Sequence, residues 1–187
     1  LFLASNINTM IPKEYSWLEN ITEPPKVISE ALKLFGVAEV VGNGSNATIL
    51  SWRDELNKSG VKVEGYSDDD IPWCGLFVAI CCLRAGKKPV SEPLWARNWT
   101  KYGIQSNLAS LGDVLTFSRG NGGHVGLYIA EDKQCYHVLG GNQSNQVCIT
   151  RVEKNRLIGC RNSYNIKPAS AKPYIVNSGG VISKNES

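Results

Sequence analysis

The second half of the chain carries the pattern that most restricts its fold. Five short segments follow one another between Gly112 and Tyr164: GDVLTFSR, NGGHVGLYIAE, KQCYHVLGGN, NQVCITRVE and RLIGCRNSY. Each is rich in β-branched and aromatic residues, each is too short for a stable helix, and Gly- or Asn-bearing turns separate them. Turns this short cannot carry a parallel crossover, so the segments read as antiparallel neighbours in one sheet.

The first half has the period of helices. A short turn near Tyr15 to Leu18 precedes the Pro24-Pro25 break. Val27, Ile28, Ala31, Leu32 and Phe35 then recur on one face of a helix from about Pro25 to Leu34, with Gly36 as its stop. ATILSWRDEL is a further helix. In DDDIPWCGLFVAICCLRAG (residues 68–86), Asp70 is placed to cap a mostly buried helix with Pro72 in its first turn and Gly86 at its end. A loop with a short helix carries Trp95 and Trp99. Helices first and strands after predict an α+β domain, with N-terminal helices packed on an antiparallel sheet of about five strands. The 187 residues suffice for one domain. Its bounds fall at 13–166, with an extended arm over 1–12 and a Pro/Ser/Gly-rich tail over 167–187.

No apolar run reaches membrane-spanning length; CGLFVAICCL is nearer a buried helix. LFLASNINTM has no basic n-region, so no signal peptide is read. A net charge of +3 is too small to indicate nucleic acid, though it suits an anionic polymer.

The chemistry turns on the cysteines, six in all, three of them within residues 74–82. Metal binding is not expected: Cys81 and Cys82 are adjacent, no CxxC occurs, and Cys74 lies two helical turns from Cys81. Cys135 and Cys148 flank GGNQSNQ, so a hairpin could bring them together. Six cysteines in a chain this long nevertheless read as a reduced protein rather than a disulfide scaffold. Cys81 and Cys82 sit in apolar sequence and read as core. Cys74 differs. It opens a helix, where free N–H groups favour a thiolate, and Gly75 allows close backbone approach. The aspartates 68–70 oppose that effect.

A nucleophilic thiol needs a base, and the chain has two histidines. His124 opens a strand after GNGG, as a residue at a cleft edge would. His137 alternates with Tyr136 and Val138 inside a strand. A third polar group must orient the imidazole. Asn142 is placed for it, with Glu131, Asp132, His137 and Gln143 as competitors. Trp73, Trp95 and Trp99 are candidate cleft walls, Arg97 a candidate partner for a substrate carboxylate, and Gln143 a further binding residue. For each, an ordinary structural role remains open.

DDDIPWCGLFV, LASLGDVLTFSRGNGGHVGLYIAED and HVLGGNQSNQV, in that order, resemble the NlpC-like and CHAP-type branch of papain-fold peptidoglycan hydrolases, most closely a subgroup common in bacteriophages and prophages. The upstream GNGSNATILSW and the closing RLIGCRN add to the resemblance, which spans roughly residues 15–162. It implies a papain-like fold and a cysteine hydrolase, either a peptidoglycan endopeptidase or an N-acetylmuramoyl-L-alanine amidase, with Cys74 as nucleophile, His124 as base and Asn142 as the third residue. His137 is the alternative third residue. The acidic residue often found two positions before that Asn is here Gly140, a departure by which the orienting role rests on Asn142 alone or passes to His137. The resemblance further implies no cofactor, peptidoglycan stem peptides as substrate, and a monomer made in the cytoplasm that acts on the bacterial cell wall. An endolysin, a tail-associated lysin and a secreted effector with a virion, secretion or immunity partner all fit. A non-catalytic binding module and a protease or transamidase acting on proteins are the alternatives.

Overall fold

A computed structural model describes residues 11–177 and 181–186. Most of the expected arm, residues 1–10, and parts of the expected tail lie outside them. A 3-10 helix (Lys13–Asn20) leads into α1 (Lys26–Leu32), α2 (Ala47–Lys58) and α3 (Cys74–Arg84), followed by a 3-10 helix at Ala96–Lys101. The strands are β1 (Ile104–Gln105), β2 (Val114–Arg119), β3 (Gly122–Glu131), β4 (Cys135–Gln143), β5 (Gln146–Glu153), β6 (Leu157–Asn162) and β7 (Ile182–Ser183).

The α+β class stands, but the expected antiparallel sheet of about five strands does not. The sheet has seven strands in the order β1-β6-β2-β3-β4-β5-β7, and it is mixed, because β7 runs parallel to β5. The five expected segments are β2 to β6. The chain after β5 does not add the next strand to the open edge. It returns through a 3-10 turn at Lys154–Arg156, and β6 pairs with β2 on the far side. The vacated edge of β5 is taken by β7, from the run read as a tail. Covering an edge in this way satisfies its unpaired N–H and C=O groups. Two-residue strands carry no alternation, so neither β1 nor β7 has a periodic signature in the sequence.

Successive side chains of a strand point to opposite faces. In β3, Val125, Leu127 and Ile129 enter the main core with Leu139 of β4 and the buried face of α3. Phe117, Tyr128 and Val138 form a smaller cluster with Val152, and Leu157 packs against it. Helix α3 lies at the centre, against α1, α2, β3 and β4. Its residues 74–82 are all buried, which explains its nearly uninterrupted apolar sequence. Truncating Phe77 in such a core would cost about 3–5 kcal/mol.

The start of α3 differs from the sequence reading. The N-cap is Trp73, with no side-chain cap, and Asp70 does not serve. Asp69 has the structural role instead. Fully buried, its Oδ2 accepts from the N–H groups of Val40 (3.1 Å) and Asn46 (2.7 Å). It thereby ties the Gly/Asn loop before α2 to the turn before α3. Asp68 accepts from the N–H of Asp70 (3.1 Å), closing that turn.

The Pro/Ser/Gly-rich run is held along the domain. Ser170 Oγ donates to Glu23 O (2.7 Å), Glu131 N to Tyr174 O (2.9 Å) and Val176 N to Glu131 O (3.0 Å). Tyr174 stacks on Trp17 at 4.5 Å. Among the described residues, no helix is long and apolar enough to cross a membrane.

Candidate active site

Cys74 is the first residue of α3, and its side chain is 3% exposed. Gly75 is required beside it: a Cβ there would stand 2.0 Å from the carbonyl oxygen of Pro93. The segment before the second 3-10 helix is therefore pressed directly onto the start of α3. Burial pushes the Cys74 thiol up, and the backbone N–H of Val125, the charge of Arg119 and the N–H groups of Gly75 and Cys74 pull it back down. The lowering expected at a helix start is present but outweighed. Cys81, deeper in the helix, is pushed well above its ordinary value by burial, and Cys82 is pushed up to about 12.

His124 lies near the start of β3, opposite Phe117 of β2 and stacked on its ring at 6.5 Å. It is fully buried. Its Nε2 is 2.9 Å from Gln143 Oε1. The Gln143 amide nitrogen donates to Val138 O (3.1 Å) and Cys148 O (2.6 Å), which fixes the amide so that its oxygen faces the ring. An amide oxygen only accepts, so Nε2 carries the proton and Nδ1 holds the lone pair. Nδ1 is buried and has no hydrogen-bond partner among the described residues. Burial lowers the pKa of His124 to about 4, so the ring is neutral at pH 7.

The start of α3 is brought onto β3 next to His124: the N–H that faces the Cys74 sulfur belongs to Val125, the residue after His124. Among the described residues His124 Nδ1 has no hydrogen-bond partner, so no hydrogen bond joins ring and sulfur.

The side chain that holds the His124 ring is that of Gln143. A bulge between Gly140 and Gln143 sets Gly141 and Asn142 opposite the single residue Val147, one extra residue in β4, and Asn142 sits within it at φ +53°. The bulge breaks the alternation of the strand and brings the Gln143 side chain, not that of Asn142, to the imidazole. Gly140 leaves the space: a Cβ there would lie 2.6 Å from Gln143 Oε1 and 3.3 Å from His124 Nε2. The position where an acidic residue was looked for is thus filled by the neighbouring amide. The signal in the sequence was GGN, a run suited to a bulge.

His137 belongs to a separate network. Its Nδ1 is 2.7 Å from Tyr15 Oη, and its Nε2 is 2.7 Å from Asp132 Oδ2, which also accepts from Arg151 Nε (2.8 Å). Burial lowers the His137 pKa, against the pull of Asp132. Both ring nitrogens are committed, so His137 does not orient His124.

Of the expected cleft walls, Trp73 and Trp99 are core. Trp73 donates to Glu39 Oε1 (2.6 Å) and packs near Trp52, and Trp99 donates to Pro93 O (3.0 Å). Trp95 is 70% exposed. The turn that carries it touches both halves of the site: Pro93 and Leu94 lie against Gly75, while Ala96 and Arg97 lie against Gly123. Arg97 holds this turn to β3 through its Nε bond to Gly122 O (2.8 Å). Trp95 also borders a groove of about 490 Å³ with Val61, Val63, Lys88 and Leu94. A slightly larger cavity, about 530 Å³, is lined by Pro25, Val27, Cys82, Tyr102, Val114 and Tyr164 and includes neither Cys74 nor His124.

The cysteines of the chain are free. Register separates Cys135, opposite Glu153, from Cys148, opposite Gly140, so the hairpin cannot bridge them. Among the described residues, no three His, Cys, Asp or Glu side chains converge as metal ligands.

No model of a known protein family matches this chain, and no curated protein matches it.

Proposed function

We propose that this protein is a cysteine hydrolase that cleaves an amide bond in peptidoglycan. The observation that supports this reading is the buried lone pair on His124 Nδ1, without a partner among the described residues, on the residue next to Val125, whose N–H faces the Cys74 sulfur. A neutral imidazole with a fixed tautomer is a base waiting for a proton, and the Cys74 thiol, held against the N–H of the residue after His124, is the candidate nucleophile. The order of motifs, which resembles that of NlpC-like and CHAP-type hydrolases, supplies the substrate class.

In this reading Cys74 gives its proton to Nδ1 as sulfur attacks the carbonyl carbon. The N–H groups of Cys74 and Gly75 stabilise the oxyanion, and losing one such donor typically costs about 3 kcal/mol. The imidazolium then protonates the leaving amine, and a thioester remains. Water attacks the thioester, Nδ1 takes its proton, and collapse returns that proton to sulfur. Every step uses protein groups and water, with no cofactor. Trp95, exposed on the turn that joins both halves of the site, is the candidate platform for a sugar or stem peptide. The enzyme would act on the bacterial cell wall, as an endolysin, tail lysin or secreted effector.

A second reading, a binding module without catalysis, draws on the burial of both side chains and the absence of a ring–sulfur hydrogen bond. Purified sacculi separate the two. The intact chain is expected to release amines and Cys74→Ala to release none, with an unchanged melting temperature. Release that survives in Cys74→Ala removes sulfur from the chemistry, and no release by the intact chain favours the binding module.

A further inference from the structure

The last described residues reach the candidate site. Lys184 and Asn185 are exposed, but Glu186 is 1% exposed. Its carboxylate forms a two-pronged pair with Arg156, at 2.7 Å to Nη1 and 2.9 Å to Nη2. Its carbonyl accepts from the N–H of Ser144 at 3.0 Å. Ser144 follows Gln143, which holds His124. Arg156 donates through Nε to Ser118 O at 3.0 Å, and Ser118 follows Phe117, on which His124 stacks. Glu186 is therefore bracketed by the immediate neighbours of both groups that hold the imidazole. Its charge bears on His124, as do those of Arg156 and Arg119.

Two features set this pair apart from an ordinary surface bridge. First, Arg156 is oriented without Glu186. Its Nε bond to Ser118 O, and the return bond from Ser118 Oγ to Arg156 O (3.3 Å), both lie within the strand framework. The guanidinium thus presents a fixed fork, and a planar fork of this kind matches a carboxylate bidentately. Among the described residues, the fork meets beyond the carboxylate only the carbonyl of Ser183, at 3.3 Å from Nη1. The guanidinium is half-buried, and it is the Glu186 carboxylate, fully enclosed, that needs the pairing; the fork is thus suited to a desolvated carboxylate. Second, the segment that supplies the anion lies at the rim of the sheet: β7 spans two residues on one edge, and among the described residues Glu186 is the one buried side chain beyond it. Cys74 and His124 are sealed, and a substrate reaches them only when something moves aside.

We infer that Arg156 forms a carboxylate-binding seat beside His124, filled at rest by the chain's own Glu186 and taken during turnover by a free carboxylate of the substrate peptide. This rests on the proposed hydrolase reading and names the part of the substrate it recognises. Glu186 then acts as an internal competitor. Exchange of one carboxylate for another keeps the fork paired throughout, so opening the site leaves no buried charge exposed.

Two alkylating reagents test the seat without relying on hydrolysis. Iodoacetate carries a carboxylate and iodoacetamide does not. Labelling of Cys74 is followed by peptide mass spectrometry, with the partly exposed Cys148 and Cys160 as internal controls. In Glu186→Ala, iodoacetate labelling of Cys74 is expected to rise about tenfold or more over the intact chain, with a much smaller rise for iodoacetamide. Glu186→Gln, which keeps the shape of the side chain, should rise in the same sense. Adding Arg156→Gln should erase the preference for iodoacetate. An equal rise for both reagents would mean a cover without a carboxylate seat, and no rise for either would mean that Glu186 does not guard the site. Both results overturn the inference. If the preference appears while no variant releases amines from sacculi, the seat stands and the hydrolase reading fails.

Discussion

Gln143 Oε1 stands 2.9 Å from His124 Nε2, and that single bond decides the protonation pattern of the site. The amide is fixed by its own two donations to Val138 O and Cys148 O, so the ring presents its lone pair at Nδ1. Gln143→Ala is expected to lower kcat by about 100-fold through a misplaced ring, with little change in KM. Asn142→Ala should cost far less. Gln143→Glu should keep activity and move the acid limb of the pH profile upward, because a carboxylate stabilises the imidazolium. A simple loss of folding would not produce that shift.

In the proposed mechanism the pKa of His124 sets that acid limb for the intact chain. With the ring neutral down to about pH 4, kcat/KM should hold through pH 5 and fall as the pH passes 4. A fall centred near the ordinary histidine value would exclude buried His124 as the base.

The same shift governs stability. The folded-state pKa of His124 lies below its ordinary value of 6.5, so between pH 6.5 and about 4 the unfolded chain binds the extra proton. Stability therefore rises with pH across this window and is lost on acidification, by about 3 kcal/mol at full extent. Buried His137, lowered in the same direction, adds to it. Urea denaturation at several pH values measures the slope, and His124→Asn should flatten it.

Gly75→Ala tests the contact that brings the Trp95 turn onto α3. Its new Cβ would meet the backbone oxygen of Pro93 at 2.0 Å, and backbone cannot yield as a side chain can. A loss of about 2 kcal/mol or more is expected. Gly86→Ala, where nothing lies within 4 Å of the added carbon but φ is +75°, should show only the smaller cost of the left-handed backbone.

Asp69→Ala leaves the N–H groups of Val40 and Asn46 unpaired, and should cost about 2–4 kcal/mol in chemical denaturation. Asp69→Asn keeps an acceptor oxygen and should cost much less. Tyr15→Phe removes the partner of His137 Nδ1 and should cost about 1–2 kcal/mol with unchanged kcat, which separates that network from the catalytic one.

Much of the chain was legible residue by residue. Helical period, alternation and Gly/Pro punctuation located α1, α2, α3 and β2 to β6, because those signals are local. They also singled out Cys74 at the start of a helix and His124 near the start of a strand. Alternation failed at the bulge in β4. There a broken register exchanged Asn142 for Gln143, and no single residue type announces such a break. Trp73 and Trp99 show the same limit from another side. An aromatic in sequence looks alike whether it lines a cleft or fills a core, and only the positions of Glu39 and Pro93 decide.

By itself, then, the sequence determined the main helices and strands, their class and the two side chains that carry the proposed chemistry, since each follows from short-range pattern and residue type. The tertiary structure alone decided the order of the sheet, the orienting role of Gln143, the buried role of Asp69 and the approach of Glu186 to His124. Those depend on which distant segments share an edge or a face, and on how far burial shifts a proton. Neither is written in the spacing of neighbouring residues.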